Sequence, residues 1–288
     1  RKRIIPSQVE TVTLQPANHL CFMFSGQGSQ YLGMAKELYE TDTTVRETIE
    51  TAENICRTYA GFSIKEIIFG TSSLSETENN KRLQQTQYTQ PAIFVVEIAL
   101  YRYLTKAGIK PSYLAGHSLG EYAALVAAGS LSFEDGLKAV IERGKAMQEA
   151  GSVTEGSMAA IFASGDVVAK IVREVKNGYV SVANYNSPSQ TVISGENSAV
   201  DKAIEIAKAK GYSATKLRVS TAFHSKIVEP AKDHMKKVLN KLTFSPPKIP
   251  VYANVTAEPY PSDSKQIQEL LIKQISSSVQ WVKTIENI

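Results

Sequence analysis

Cysteine is nearly absent. Only Cys21 and Cys56 occur in 288 residues, which excludes a disulfide framework and a cysteine-rich zinc site and suits a reducing, cytoplasmic setting. No apolar run approaches the ~18 residues that a membrane helix needs. The basic start, RKRIIPSQVETVTLQP, lacks the apolar stretch of a secretory signal and reads as an exposed arm or linker over residues 1–17. Charge of one sign is scarce as well. The balance of 32 Lys+Arg against 28 Asp+Glu leaves +4, too little to argue for a nucleic-acid partner. There is no tandem repeat and no low-complexity tract. What is present is ordinary globular usage, 43% hydrophobic and 21% charged. The length suits one large domain or one with a smaller insert.

Short apolar runs alternate with helical patterns. His19–Phe24 reads as a buried strand, ends at Ser25-Gly26-Gln27-Gly28-Ser29-Gln30, and leads into the helical pattern YLGMAKELYE. Residues 41–69 read as helices, 71–87 as a polar loop or short capped helix, and Pro91 onward as a helix ending near Gly108. A strand over 111–116 then meets a sharp turn and two helices. This alternation predicts an α/β fold with a mostly parallel, doubly covered sheet, close to an α/β-hydrolase-like core. After Gly151 the order becomes strand, helix, strand, strand, helix, which predicts a small ferredoxin-like insert over 154–215. The large subdomain is then 18–153 plus 216–288, with the main sheet resuming at Lys216-Leu217-Arg218-Val219.

Gly116-His117-Ser118-Leu119-Gly120 fits G-x-S-x-G between a strand and a helix. In that setting the serine occupies a strained turn, its hydroxyl projects beyond the sheet, and the next backbone N–H can face an oxyanion. The alternative is a plain βα turn with a serine cap. A nucleophilic serine needs a base, and the chain has four histidines: His19, His117, His224 and His234. His224 is the leading base, because it lies in a loop between a strand and a helix, where α/β sites are built. No carboxylate stands well placed between Ser118 and His224. The reading is therefore a serine–histidine pair whose imidazole is oriented by a carbonyl or amide.

On the helix beginning at Phe133, ~100° per residue puts Leu137, Val140, Ile141 and Met147 on one stripe, with Arg143 flanking it. A guanidinium there either snorkels outward or offers a bidentate fork to a carboxylate. Gly26-Gln27-Gly28 resembles a phosphate loop only weakly. It lacks the Lys-Ser/Thr of a P-loop and the third glycine of a dinucleotide fingerprint.

Taken in order, GQGSQ (26–30), QYTQPA (87–92), GHSLGEY (116–122), Arg143-Gly144, NYNSP (184–188), Ala222-Phe223-His224-Ser225, and Gln274 followed by Val279-Gln280-Trp281 resemble the malonyl-CoA:acyl carrier protein transacylase family, including acyltransferase domains of polyketide and fatty-acid synthases. The resemblance implies a ping-pong acyl transfer from malonyl-CoA to the phosphopantetheine thiol of an acyl carrier protein. It makes Ser118 the acylated nucleophile and His224 its base. It assigns the oxyanion hole to the backbone N–H groups of Gln27 and Leu119, and the substrate carboxylate to Arg143. Gln274 orients the histidine through its main-chain carbonyl, and Gln90, Asn186, Phe223 and His117 line the pocket. A ring at Phe223 implies malonyl rather than methylmalonyl. No permanently bound cofactor and no metal are implied. The expected partners are malonyl-CoA, an acyl carrier protein docked by basic residues at the cleft mouth, and other domains of a synthase. The family continues past Gln280-Trp281 with a strand, a Gly-Pro-Gly turn and a helix that do not precede Ile288 here. The rival readings are an acyl hydrolase of the same fold, which gives the acyl group to water, a transferase with another acyl-CoA preference, and a non-catalytic docking module.

Overall fold

A computed structural model describes residues 19–288 except Thr154, Arg218 and Ser220; the expected N-terminal arm lies outside the described residues. The chain opens with β1 (Cys21–Phe24) and a helical run, α1 (Lys36–Thr41), α2 (Thr43–Ala60), α3 (Ile64–Phe69), α4 (Glu76–Leu83) and α5 (Thr86–Lys106). Then come β2 (Tyr113–Gly116), α6 (Gly120–Ala127) and α7 (Phe133–Val153). A second unit follows: β3 (Ser157–Ile161), α8 (Gly165–Glu174), β4 (Val180–Ser187), β5 (Gln190–Gly195), α9 (Asn197–Ala209) and β6 (Ala214–Lys216). The chain closes with α10 (Pro230–Leu239), β7 (Val251–Tyr252), α11 (Ser264–Gln274) and α12 (Trp281–Asn287).

Two sheets result. One is parallel, in the order β1-β2-β7, with Phe24 beside Gly116 and Leu114 beside Val251. The other is antiparallel, in the order β4-β5-β3-β6. The first matches the parallel sheet expected from the alternating pattern. Its strands are too short to span much, and helices α2, α5, α6 and α7 supply most of the large core.

β3 is buried on both faces. Its period of two sends Met158 and Ala160 into the large core and Ala159 and Ile161 into a second core with Val168 and Ile171 of α8 and Val200 and Ala203 of α9. The antiparallel sheet is thus a roof, with helices above it and the large unit below. Val279 fastens it: Tyr185 N–H donates to the Val279 carbonyl at 2.9 Å, and Val279 N–H to the Ala183 carbonyl at 2.8 Å.

Two local readings change, and one that left two alternatives is decided. Lys216 does not restart the main sheet. Ala214–Lys216 is β6, paired antiparallel with β3, and Leu217 N–H continues the ladder to the Met158 carbonyl at 2.8 Å. β3 had an open edge there, and the expected boundary between 215 and 216 cuts β6. Of that expected segment, Arg218 lies outside the described residues. Pro91 does not open its helix but lies inside α5; the turn before it closes on the Gln85 carbonyl, which accepts from Tyr88 and Thr89 N–H, both at 2.8 Å. The 71–87 stretch contains a helix, α4, because Ser75 and Glu78 form a reciprocal capping box.

The join between β2 and α6 is the tightest place in the fold. A Cβ on Gly116 would lie 2.0 Å from the Gly120 carbonyl carbon, and one on Gly120 would lie 2.4 Å from the Phe24 carbonyl oxygen. Only glycine lets helix, turn and neighbouring strand approach this closely. Among the described residues, no helix is long and apolar enough to cross a membrane.

Gly116→Ala should therefore cost roughly 1–3 kcal/mol or more through backbone collision. Gly211→Ala, at φ +86° with open space around it, should cost only about 1 kcal/mol of conformational strain. Urea-unfolding midpoints of the two variants check this; equal losses would contradict the packing account.

Candidate active site

Ser118 sits between those glycines with φ +54°, a left-handed conformation that costs a non-glycine residue ~1–2 kcal/mol. Neighbours hold it there. Its N–H donates to Asn254 Oδ1 at 2.5 Å, and Asn254 Nδ2 donates to the Gly116 carbonyl at 2.6 Å. Its carbonyl accepts from Gln274 Nε2 at 2.5 Å. The hydroxyl therefore stands clear of the strand ends, 2.8 Å from His224 Nε2.

His224 also has φ +54°. Its Nδ1 lies 3.1 Å from the Gln274 carbonyl and 3.0 Å from the Ser277 carbonyl. Carbonyl oxygens only accept, so Nδ1 carries the proton and Nε2 is left to receive one from Ser118. Burial, and then the positive charge of Arg143 and the neighbouring His117, push the His224 imidazolium down to about 3. His224 thus stays neutral, as a base requires, with main-chain carbonyls where a hydrolase triad would place an acid.

Arg143 does not snorkel. It is 2% exposed, held by α7 with its guanidinium over the ring of Tyr122, whose centre lies 5.7 Å away. Nη1 donates to Gln90 Oε1 at 2.8 Å; Nη2 donates to Gln274 Oε1 and to Ser118 Oγ, both at 3.1 Å. These are neutral acceptors. Among the described residues no carboxylate lies within ion-pair distance of this guanidinium. Burial lowers its pKa from the usual arginine value.

The nearest balancing charge is Glu121, fully buried in the first turn of α6. Its carboxylate accepts from Asn254 N–H at 2.8 Å, Tyr260 Oη at 2.9 Å and Gln274 Nε2 at 2.5 Å. Burial raises its pKa to about 7, against the pull of those donors and of Arg143. Gln274 therefore separates Glu121 from Arg143, with one end of its amide on each.

A cleft between the two units opens over this group. Gln27, Leu119, Gln90, His117, Asn186 and Phe223 all line it, together with Ser118, Arg143 and His224. Of the residues expected at the site, only Gln274 stands behind the wall. His117 points into the cleft and donates from Nε2 to Asn186 Oδ1 at 2.9 Å, with Trp281 edge-on to its ring. Met147, Met158, Val192 and Leu217 add an apolar side. His234 lies elsewhere, paired with Glu142 at 2.8 Å. No group of three or more His, Cys, Asp or Glu that could hold a metal occurs among the described residues.

Residues 21–288 match the acyl transferase domain family. The chain belongs to this family. It is 38% identical over 275 residues to the malonyl CoA-acyl carrier protein transacylase of Bacillus subtilis strain 168, covering 93% of this chain and 82% of that protein. The structure of the malonyl CoA-acyl carrier protein transacylase from Coxiella burnetii superposes with a TM-score of 0.86 at 38% identity, over 94% of this chain and 83% of that one. A malonyl-transacylase solved with its type II polyketide synthase acyl-carrier protein gives 0.85 at 35% identity, over 94% and 85%. Within this acyl transferase family the chain is a typical α/β member: one parallel sheet and one separate antiparallel sheet.

Three supporting residues escaped the sequence reading. Glu121 did leave a signal, a lone charge inside the apolar helix GEYAALVAA. Asn254 lies just past a strand end, where site residues gather. Tyr260 left no signal, since only tertiary packing brings it to Glu121.

The low His224 pKa predicts an unusual pH profile. An ordinary histidine base loses activity below about pH 6.5; here, once Glu121→Gln removes the carboxyl that itself titrates near 7, Ser118 acylation should hold its rate from pH 7.5 to pH 5. The same shift bears on stability. Between about 3 and 6.5 the unfolded histidine binds a proton that the folded one refuses, so its contribution is full above 6.5 and is lost as pH falls through that window. Stopped-flow acylation of the Glu121→Gln variant against pH is the check, and a half-loss near 6.5 would contradict it.

Proposed function

We propose that the protein moves a malonyl group from malonyl-CoA to the phosphopantetheine thiol of an acyl carrier protein through a malonyl-Ser118 ester. The observation that carries this reading is Arg143: a buried guanidinium on the cleft, held by neutral oxygens, with no carboxylate touching it among the described residues. A desolvated charge of this kind is costly unless it is met by an opposite one. The free carboxylate of a malonyl group supplies that charge at the far end of an acyl chain whose thioester carbon reaches Ser118. The names of the relatives, malonyl CoA-acyl carrier protein transacylases, support the same substrate pair.

Ser118 Oγ adds to the thioester carbon as its proton passes to His224 Nε2. The oxyanion is received by the backbone N–H groups of Gln27 and Leu119. Collapse breaks the carbon–sulfur bond, and the CoA sulfur leaves with the proton from His224. The carrier thiol then gives its proton to His224, attacks the ester carbon, and returns Ser118 as a hydroxyl. Gln274 keeps the imidazole in register through its carbonyl. His117 and Asn186 form one wall, and Phe223 fills the space beside the malonyl methylene. No resident cofactor is needed. Basic residues around the cleft mouth dock the acidic carrier, in a cytoplasmic setting that suits two free cysteines. The division into a large unit and a small one over 154–216 goes with this reading. The strand order β4-β5-β3-β6, with α8 and α9 on one face, supports a ferredoxin-like description of the small unit.

Incubation with mixed acyl-CoAs should load malonyl on Ser118, seen by intact mass, and holo-carrier protein should remove it. Release to water with no transfer to any carrier would favour the hydrolase instead. Arg143→Ala should lower malonyl transfer ~100-fold or more while acetyl transfer changes far less; an unchanged malonyl/acetyl ratio would remove the carboxylate role.

A further inference from the structure

Helix α5 carries a partly buried carboxyl that the steps above do not use. Glu97 lies beside the Ser25–Ser29 loop, and its Oε2 is shut from solvent with no hydrogen-bond partner among the described residues. Its Oε1 accepts from Ser25 Oγ at 2.9 Å. Ser25 Oγ also lies 2.9 Å from Ser29 Oγ, and Ser29 Oγ donates to the Gly26 carbonyl at 3.0 Å. The loop that presents Gln27 to the cleft is thus closed on itself by Ser29 and anchored to α5 through Ser25 by one carboxyl.

The anchoring has a counterpart at the other end of the same helix. Gln27 Nε2 donates to Thr86 Oγ1 at 3.2 Å, and Gln90 receives Arg143. At ~100° per residue, positions 86, 90 and 97 fall within about 40° of one another, so one stripe of α5 grips the loop twice and Arg143 once. The loop also abuts the elbow directly: a Cβ on Gly26 would lie 2.9 Å from the His117 carbonyl oxygen, and one on Gly120 would lie 2.9 Å from the Ser25 carbonyl oxygen. There is no slack between loop and nucleophile, so a shift of Ser25 moves Gln27 relative to Ser118.

We propose that Glu97 is a positioning residue, fixing the Ser25–Ser29 loop through the Ser25 hydroxyl so that the Gln27 N–H stays aimed at the oxyanion formed on Ser118. This rests on the role given to Gln27 above. Interactions of this kind act on the transition state, where oxyanion donors matter most, and only weakly on substrate binding. Burial raises the Glu97 carboxyl to about 8, against the pull of the Ser25 hydroxyl and amide. It is therefore largely neutral at pH 7, and a glutamine amide, whose oxygen can still accept from Ser25, is a fair replacement.

The test compares Ser25→Ala, Glu97→Leu, their double variant and Glu97→Gln in two reactions. One is steady-state malonyl transfer. The other is labelling of Ser118 by an alkyl fluorophosphonate, in which Ser118 Oγ bonds to phosphorus, fluoride leaves, the hydroxyl proton passes to His224, and the phosphoryl oxygen needs the same donors. Ser25→Ala and Glu97→Leu should each lower kcat and the labelling rate ~10-fold with KM within about twofold. The double variant should be no slower than either single one, and Glu97→Gln should stay within about threefold of the parent. Unchanged rates in Ser25→Ala, additive losses in the double variant, or a glutamine variant as slow as the leucine one would overturn the proposal. Should the parent react with the fluorophosphonate but not with malonyl-CoA, the substrate assignment fails, and the labelling rates alone decide the role of Glu97.

Discussion

A buried guanidinium without a touching carboxylate is an expensive object, and the site is arranged around keeping it charged. Arg143 is solvated by amide and hydroxyl oxygens, while Glu121 balances it from the far side of Gln274. Direct contact with Glu121 would satisfy the charge inside the protein and leave nothing for a ligand. Interposing an amide lets the field of the carboxylate reach Arg143 and leaves its open directions facing the cleft. The same residue bonds the Ser118 carbonyl and, through its own main chain, His224. Nucleophile, base and anion-binding group therefore share one scaffold residue, and buried networks of this kind fail together when one member is removed.

Both reacting side chains come from strained backbone. Ser118 and His224 occupy the left-handed region at the same φ of +54°, and each is fixed by bonds from other elements. Such strain persists only where the surroundings over-determine it. Here those surroundings are the glycine contacts at the elbow, Asn254 on one side of Ser118, and the two carbonyls that capture the His224 ring.

The elbow was legible because its chemistry is local: a strand, two glycines two residues either side of a serine, and a helix. His224 was legible by elimination among four histidines and from its place at a strand-to-helix loop. Helical phase put Arg143 beside the apolar stripe, yet phase alone could not separate burial from snorkelling, because that depends on Tyr122, Gln90 and Gln274 arriving from three other segments. Glu121, Asn254 and Tyr260 form their contacts across more than 130 positions of chain, beyond any periodic signal. The β6 boundary was misplaced for a similar reason. A three-residue edge strand carries no pattern of its own, and only the open side of β3 shows which sheet it joins.

β3 is a partition one strand thick, with Ala159 and Ile161 packed against α8 and α9 and Met158 on the wall of the cleft. Well-packed interiors pass displacement on rather than absorb it. The width of the acyl chamber is therefore set in part by side chains that never see substrate, and lineages that diverge in the helices of the roof can retune which acyl chains fit while every reacting atom stays where it was.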